Sequence, residues 1–352
     1  MDRYVGLDAH AQTCTLAVMG PTGKRLSSSV VETNGHALLE AIAQIPGRIH
    51  LCLEEGTQSA WLYEILEPQV AEITVTVPEK SKGSKDDLKD AWKRANEIRM
   101  GAIGTRVYKA PKHLTVLRSA ATAYRMATQD VVRVKNRLKT VFRSRGILAD
   151  SDVYVARSRT KWLKQLPGGH RELAEWLGRE LDTLVPLREE AEERLLKEAK
   201  THPITRTLAT APGLGPVRTA QLVAIVVTPH RFRTSRQFWS YCGLSVVTES
   251  SSDWVADRRG QWVRADVQQT RGLTRKRQPM LKAIFKGAAT TVIKQLVDHP
   301  LHADYHRRLQ AGIKPNLAKL TLARRIAAIV LSMWKHEEVF DPARLKVATD
   351  KP

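Results

Sequence analysis
Read for apolar and polar positions, the chain opens on a short apolar run, Tyr4-Val5-Gly6-Leu7, that ends in the carboxylate of Asp8. Such a run favours extended backbone and predicts a strand. Gln12 to Val18 repeats the pattern, and the Gly20-Pro21-Thr22-Gly23 turn signal separates it from Lys24 to Glu32. Three strands joined by short turns make an antiparallel meander. Gly35 to Ile45 then has the spacing of a short amphipathic helix, closed by Pro46-Gly47. Arg48 to Leu53 is another apolar strand, finishing in Glu54-Glu55 and the turn at Gly56-Thr57. Ala60 to Leu66 restarts a helix, and Ile73 to Val77 is a β-branched strand ended by Pro78.

Strands, helix, strand, helix, strand in that order predicts an α/β RNase H/RuvC-like domain, a mixed sheet covered by helices. The segment Lys80 to Trp92 follows the fifth strand as a loop running into a helix. Asp87 and Asp90 are three residues apart, which places both carboxylates on one face of the first helical turn. Like charges so placed repel unless they share a cation. With Asp8 and Glu54 at neighbouring strand tips they form an all-oxygen donor set of the kind that hard divalent ions, Mg²⁺ or Mn²⁺, prefer. Glu55 rivals Glu54, because adjacent strand residues point to opposite faces. Helix capping would account for Asp87 and Asp90 taken alone.

From Lys112 to Arg145 there is neither proline nor glycine, and Leu117, Ala121, Tyr124, Thr128, Val131, Lys135, Leu138 and Phe142 fall at alternating steps of four and three. That predicts a long coiled-coil-like helix whose other positions are largely basic. A second tract, Glu172 to Lys200, is rich in acid and repeats leucine at helical spacing. An antiparallel pair of complementary charge follows, with Pro186 bending or restarting the second helix. Pro212-Gly213-Leu214-Gly215-Pro216 joins two helical patterns, Ile204 to Ala209 and Thr219 to Val227, as a helix-hairpin-helix turn would. Such a turn offers backbone amides to a phosphate without reading sequence. Arg231 to Trp239 interleaves cations with aromatics, either as a nucleic-acid-facing helix or as packed aromatics beside solvated arginines. Ser250-Ser251-Ser252 lies among basic segments, where a flexible loop and an activated hydroxyl are both open readings. Met280 to Leu296 and Leu317 to Trp334 are apolar helices that close the last core.

Charge sharpens this picture. The 352 residues carry 57 Lys+Arg against 36 Asp+Glu, a net charge of +21. Spread through long helices and not confined to a tail, that excess suits a polyanion, with nucleic acid the default partner. Cys14, Cys52 and Cys242 lack metal-ligand spacing, and no signal peptide or long apolar run is present. A reducing cytoplasm is expected, without membrane, zinc site or disulfide frame.

Taken together, Gly6-Leu7-Asp8, Leu53-Glu54 with Gly56, Asp87-x-x-Asp90-Ala91, Pro212-Gly213-Leu214-Gly215-Pro216, Tyr241-Cys242-Gly243-Leu244 and the serine eight residues after Gly243 resemble one family. It is the DEDD transposases of the one-ten family of insertion sequences, with the Piv and MooV-type DNA invertases. The resemblance implies a RuvC-like catalytic domain over 1–111, a coiled-coil assembly region over 112–201, a mostly α C-terminal transposase domain over 202–345 and a tail over 346–352. It implies Asp8, Glu54, Asp87 and Asp90 as metal ligands and Ser251 as nucleophile, with Ser250 and Ser252 as alternatives. It also implies a structured non-coding bridge RNA that pairs with double-stranded donor and target DNA, and a homo-oligomer, dimer assembling to tetramer. Because long helical tracts separate the carboxylates from the serine, a composite site built on assembly is expected, with sharing between subunits and completion within one chain both open. Two other functions fit the same residues. A metal-dependent nuclease of RuvC/RNase H type needs the carboxylates without the serine and forms no covalent adduct. A non-catalytic nucleic-acid scaffold needs neither.

Overall fold
The computed structural model describes residues 1–78, 86–249, 254–264, 269–275 and 277–345. The chain separates into two compact units, Met1–Lys112 and His113–Pro352. In the first, the strands are β1 (Asp2–Ala9), β2 (Thr13–Met19), β3 (Arg25–Glu32), β4 (Arg48–Glu54) and β5 (Glu72–Thr76). They form one sheet in the order β3-β2-β1-β4-β5. The meander β1-β2-β3 is antiparallel, and β4 and β5 add in parallel beyond β1. Helices α1 (Gly35–Ala43) and α2 (Ser59–Leu66) make the connections, so the mixed sheet expected from the pattern is the sheet that forms.

The two faces of this sheet are filled differently. Val5, Leu7, Leu16, Leu51, Leu53 and Val75 point to one face and share a core with Leu38 and Ile42 of α1 and Leu62 and Leu66 of α2. On the other face lies α3 (Asp87–Met100), whose Ala91, Trp92 and Ala95 pack on Ala17 and Met19. Small residues make this approach possible. A Cβ on Gly6 would collide with the carbonyl oxygen of Ala91 and stand 2.6 Å from the amide nitrogen of Ala95, so only glycine lets α3 lie directly on β1.

The second unit is helical: α4 (Thr115–Arg143), α5 (Ala156–Leu163), α6 (Gly168–Ala199), α7 (Pro203–Ala209), α8 (Gly215–Val226) and α9 (Ser235–Tyr241). Short strands β6 (Val246–Glu249), β7 (Trp254–Ala256), β8 (Trp262–Arg264) and β9 (Gln269–Leu273) follow, and then α10 (Pro279–Gln295), α11 (Pro300–Gln310) and α12 (Pro315–His336). The strands make two antiparallel pairs, β6 with β9 and β7 with β8. Helices α4 and α6 run antiparallel, joined by apolar faces at both ends. Val131, Val134, Leu138 and Phe142 meet Ala174, Leu177 and Leu181 at one end, whereas Leu117 and Ala121 join Leu195, Ala199 and the C-terminal helices at the other.

Three details correct the expected pattern. Val134, not Lys135, occupies the apolar seam, and the Lys135 ammonium sits over the Tyr154 ring at 5.1 Å. Among the described residues no ion pair bridges α4 and α6. The pairs lie within each helix, Asp130 with Arg133 at 2.7 Å and Glu190 with Arg194 at 2.5 Å, because residues three and four apart are nearer each other than to the facing helix. Helix α6 also continues through Pro186 instead of restarting, with apolar contacts on either side of it.

The glycine turn between α7 and α8 is present, with Gly213 at φ +72° and Gly215 at φ +63°. Around Arg231 the packed arrangement is found. Phe232 and Phe238 are buried 5.0 Å apart, and the Arg231 guanidinium stacks on Tyr241 at 4.9 Å. All three cysteines are free and buried. Burial pushes the Cys52 thiol up to about 11 and raises those of Cys14 and Cys242. Among the described residues no helix is long and apolar enough to cross a membrane.

Candidate active site
Strand alternation fixes the first two carboxylates. Leu7 and Leu53 are partners in the parallel β1–β4 register and both face the α1/α2 core. The next residue on each strand, Asp8 and Glu54, therefore faces α3. Helix α3 begins above these strand tips, so Asp87 and Asp90 in its first turn descend toward them. Its N-cap is Asp86, whose side chain accepts from the Lys89 amide at 3.1 Å. Capping is thus supplied by the residue before Asp87, and the first-turn carboxylates are available to something else.

A cleft of about 330 Å³ lies at this end of the sheet, and Asp8, Glu54, Asp87 and Asp90 all line it. Asp8 and Asp87 are joined through His10, whose Nε2 is 3.1 Å from one Asp8 oxygen and 3.2 Å from one Asp87 oxygen. One donor atom from each of these three residues falls within 4.8 Å of the others. Burial raises the Asp8 carboxyl above the usual range and Asp87 and Asp90 push it the same way, while His10 works against them. A site that disfavours its own carboxylate charge gains by accepting a cation, and oxygen donors with one imidazole suit a divalent metal ion.

Glu54 and Glu55 go to different partners. Glu54, on the same face as Asp8, pairs with the Arg94 guanidinium, which also holds Glu97 at 2.6 Å and is itself buried. Glu55 turns to the buried Lys109 ammonium and accepts from Ser59 Oγ at 2.9 Å. The structure therefore brings Asp8 and Asp87 to one point with His10, and puts Glu54 and Asp90 on the wall of the same cleft. Ser250, Ser251 and Ser252 lie outside the described residues, as do the Lys80–Lys85 loop and the 346–352 tail.

His10 and Arg94, which line the cleft, and Lys109, which holds Glu55, are residues that the sequence pattern did not single out. The signal for His10 was a histidine two residues beyond a strand-tip carboxylate, on the same side of extended chain. Arg94 stands four residues after Asp90, hence on the same helical face.

With this geometry in place, the comparisons are informative. A family model described as "Transposase IS116/IS110/IS902 family" matches residues 205–306, and a DEDD transposase model of the IS110 type matches residues 5–145, which carry the whole cleft. A curated relative, "Putative transposase y4pF/y4sB" of Sinorhizobium fredii (strain NBRC 101917 / NGR234), is 25% identical over 160 residues. The match covers 45% of this chain and 38% of that protein, so the chain spans well under half of the relative's length. The two family matches fall in order along the chain, one over the sheet unit and all of α4 and the other from α7 through the glycine turn into α11. The chain belongs to the IS110 family of DEDD transposases.

Proposed function
We propose that this protein is a site-specific DNA recombinase that moves an insertion element in the bacterial cytoplasm. The observation that carries the reading is the convergence of Asp8, His10 and Asp87 within 4.8 Å, in a cleft that Glu54 and Asp90 also line. In this reading the sheet unit is RuvC-like, and Asp8, Glu54, Asp87 and Asp90 hold Mg²⁺ or Mn²⁺ with His10 beside them. Glu54 is preferred to Glu55 because it lies on the same face of the sheet as Asp8, whereas Glu55 turns away to Lys109 and Ser59. A bound divalent ion would polarise the scissile phosphate and favour ionisation of an attacking hydroxyl.

The chain's own residues do the rest. Asp87 and Asp90 arrive on one rigid helix, and Arg94, fixed on that helix, orients Glu54. The Ser251 hydroxyl attacks phosphorus. One O–P bond forms, the P–O3′ bond breaks, and the hydroxyl proton ends on the released 3′-oxygen. That 3′-hydroxyl later attacks across the synapse and frees the serine. The bond energy is retained in the phosphoserine, so the reaction needs no nucleotide triphosphate. A net charge of +21 supports a role in holding backbones, with a structured bridge RNA reading donor and target DNA by base pairing. The α4/α6 hairpin serves as the coiled-coil assembly element of a dimer that builds a tetramer.

The test is strand cleavage on DNA carrying the element's ends, with its RNA, in the presence of Mg²⁺ or Mn²⁺. Wild type should leave a protein–DNA adduct on denaturing gels. Asp87→Ala should abolish it while RNA binding persists, and Ser251→Ala should bind and assemble without forming it. Wild-type cleavage by Asp87→Ala would overturn the metal assignment, and an adduct mapped to Ser250 or Ser252 would move the nucleophile.

A further inference from the structure
Within the helical unit, a cavity of about 510 Å³ opens between the middle of α4 and the starts of α8 and α10. Its volume is in the range of small-molecule sites, about 300–1,000 Å³. Tyr124, Leu214, Pro216 and Met280 give it apolar walls. Two polar side chains on those walls lack partners. Gln221 is only 8% exposed, and its carboxamide makes no hydrogen bond to any described residue. Thr128 Oγ1 is likewise buried without a hydrogen-bond partner. Unpaired polar groups are disfavoured in an apolar wall and persist where a ligand pairs with them.

The mouth has a different character. Helix α8 begins there, and its first-turn amides at Gly215 and Val217 have no acceptor within the helix, with Pro216 contributing none. They present the positive end of the helix dipole beside Arg125, which donates to Gln129 Oε1 at 3.2 Å. A phosphate alone would be satisfied at this mouth and would leave the apolar chamber and Gln221 unexplained. A phosphate bearing a planar, polar-edged ring accounts for both. The ring lies against Tyr124, and its edge takes the donor and acceptor of the Gln221 carboxamide.

We propose that this cavity receives one nucleotide turned out of its stack, base inward and phosphate at the start of α8. The proposal rests on the nucleic-acid reading above and adds a place where an unpaired position is sensed. DNA and RNA share the required chemistry, and the test separates them.

The full-length protein is titrated against four probes: a DNA duplex with a single 2-aminopurine bulge, its fully paired counterpart, and the same two in RNA. Wild type should bind the bulged probe of one type about tenfold tighter than the paired one, the scale of a bidentate base contact, with a change in 2-aminopurine emission. Gln221→Leu should bring that ratio to about one with paired-duplex affinity unchanged, and should raise the melting temperature, because an unpaired amide is replaced by an apolar group. Thr128→Val should reduce the ratio in the same direction. An unchanged ratio in Gln221→Leu, or no preference in wild type that still binds paired duplex, overturns the nucleotide pocket and leaves the recombinase reading standing. Failure to bind any of the four removes both.

Discussion

Gly6 links packing to chemistry, and Gly6→Ala tests that link. The added methyl would collide with the Ala91 carbonyl oxygen and stand 2.6 Å from Ala95 N. Non-bonded heavy atoms rest at about 3.5–4.0 Å, so α3 has to retreat by ~1 Å. The neighbours in the way are helix backbone and have no side-chain rotamer to give. Overpacking of this kind costs about 1–3 kcal/mol. At ~4–8 °C per kcal/mol for a domain near this size, the melting transition of the sheet unit should fall by about 5–20 °C. Because Asp87 and Asp90 ride on the displaced helix, cleavage should fall further than stability does, on the order of a hundredfold for a ~1 Å misplacement. The assays are calorimetry and single-turnover cleavage at a temperature where the variant is fully folded. A variant with native melting temperature and native rate would refute the claim that direct helix-on-strand contact places the carboxylates.

Mixing Ser251→Ala with Asp87→Ala protein should restore partial cleavage where metal site and serine come from different subunits, and no recovery in well-mixed oligomers would place both in one chain. Asp304 is buried, which pushes its carboxyl up, but Arg307 at 2.6 Å and Arg325 at 2.8 Å outweigh this and hold it below the usual range. A folded value below the unfolded one adds stability that is full above about pH 4 and is lost as pH falls through the folded value. Asp304→Asn should therefore flatten the acid limb of a stability-versus-pH curve, and an unchanged limb would refute the assignment. The three buried thiols should resist a thiol-reactive chromophore at pH 8 in the native protein and all react after denaturation. Fast native labelling of any of them would contradict the packing around it.

The sheet unit was legible because its signals are local. Alternation, Gly-Pro turns and strand-tip carboxylates fix element order and face, and the observed strand ends differ from the expected ones by at most about two residues. The carboxylate positions follow from the same alternation. The separate partners of Glu54 and Glu55 were invisible in the pattern, since they depend on Arg94 arriving from α3 and Lys109 from a later segment. His10 was hidden for the same reason, its role being defined by Asp87 across the fold. In the long helices, a strict heptad count put Lys135 in the seam, but a straight helix of 3.6 residues per turn brings Val134 there. Charge gave the partner class and misled on α4 and α6, where apolar faces do the joining.

The α4/α6 hairpin has two separate cores. On α4 no fully buried residue lies between Ala121 and Val131, and on α6 none lies between Leu181 and Leu195, the interval that contains Pro186. The cavity at Tyr124 to Gln129 occupies the same interval of α4. Hydrogen exchange along the hairpin should consequently fall into two slow blocks separated by a fast waist. Bending compliance is concentrated at that waist, so the far tip of the hairpin can swing while both packed ends stay intact, and whatever fills the cavity stiffens the pivot.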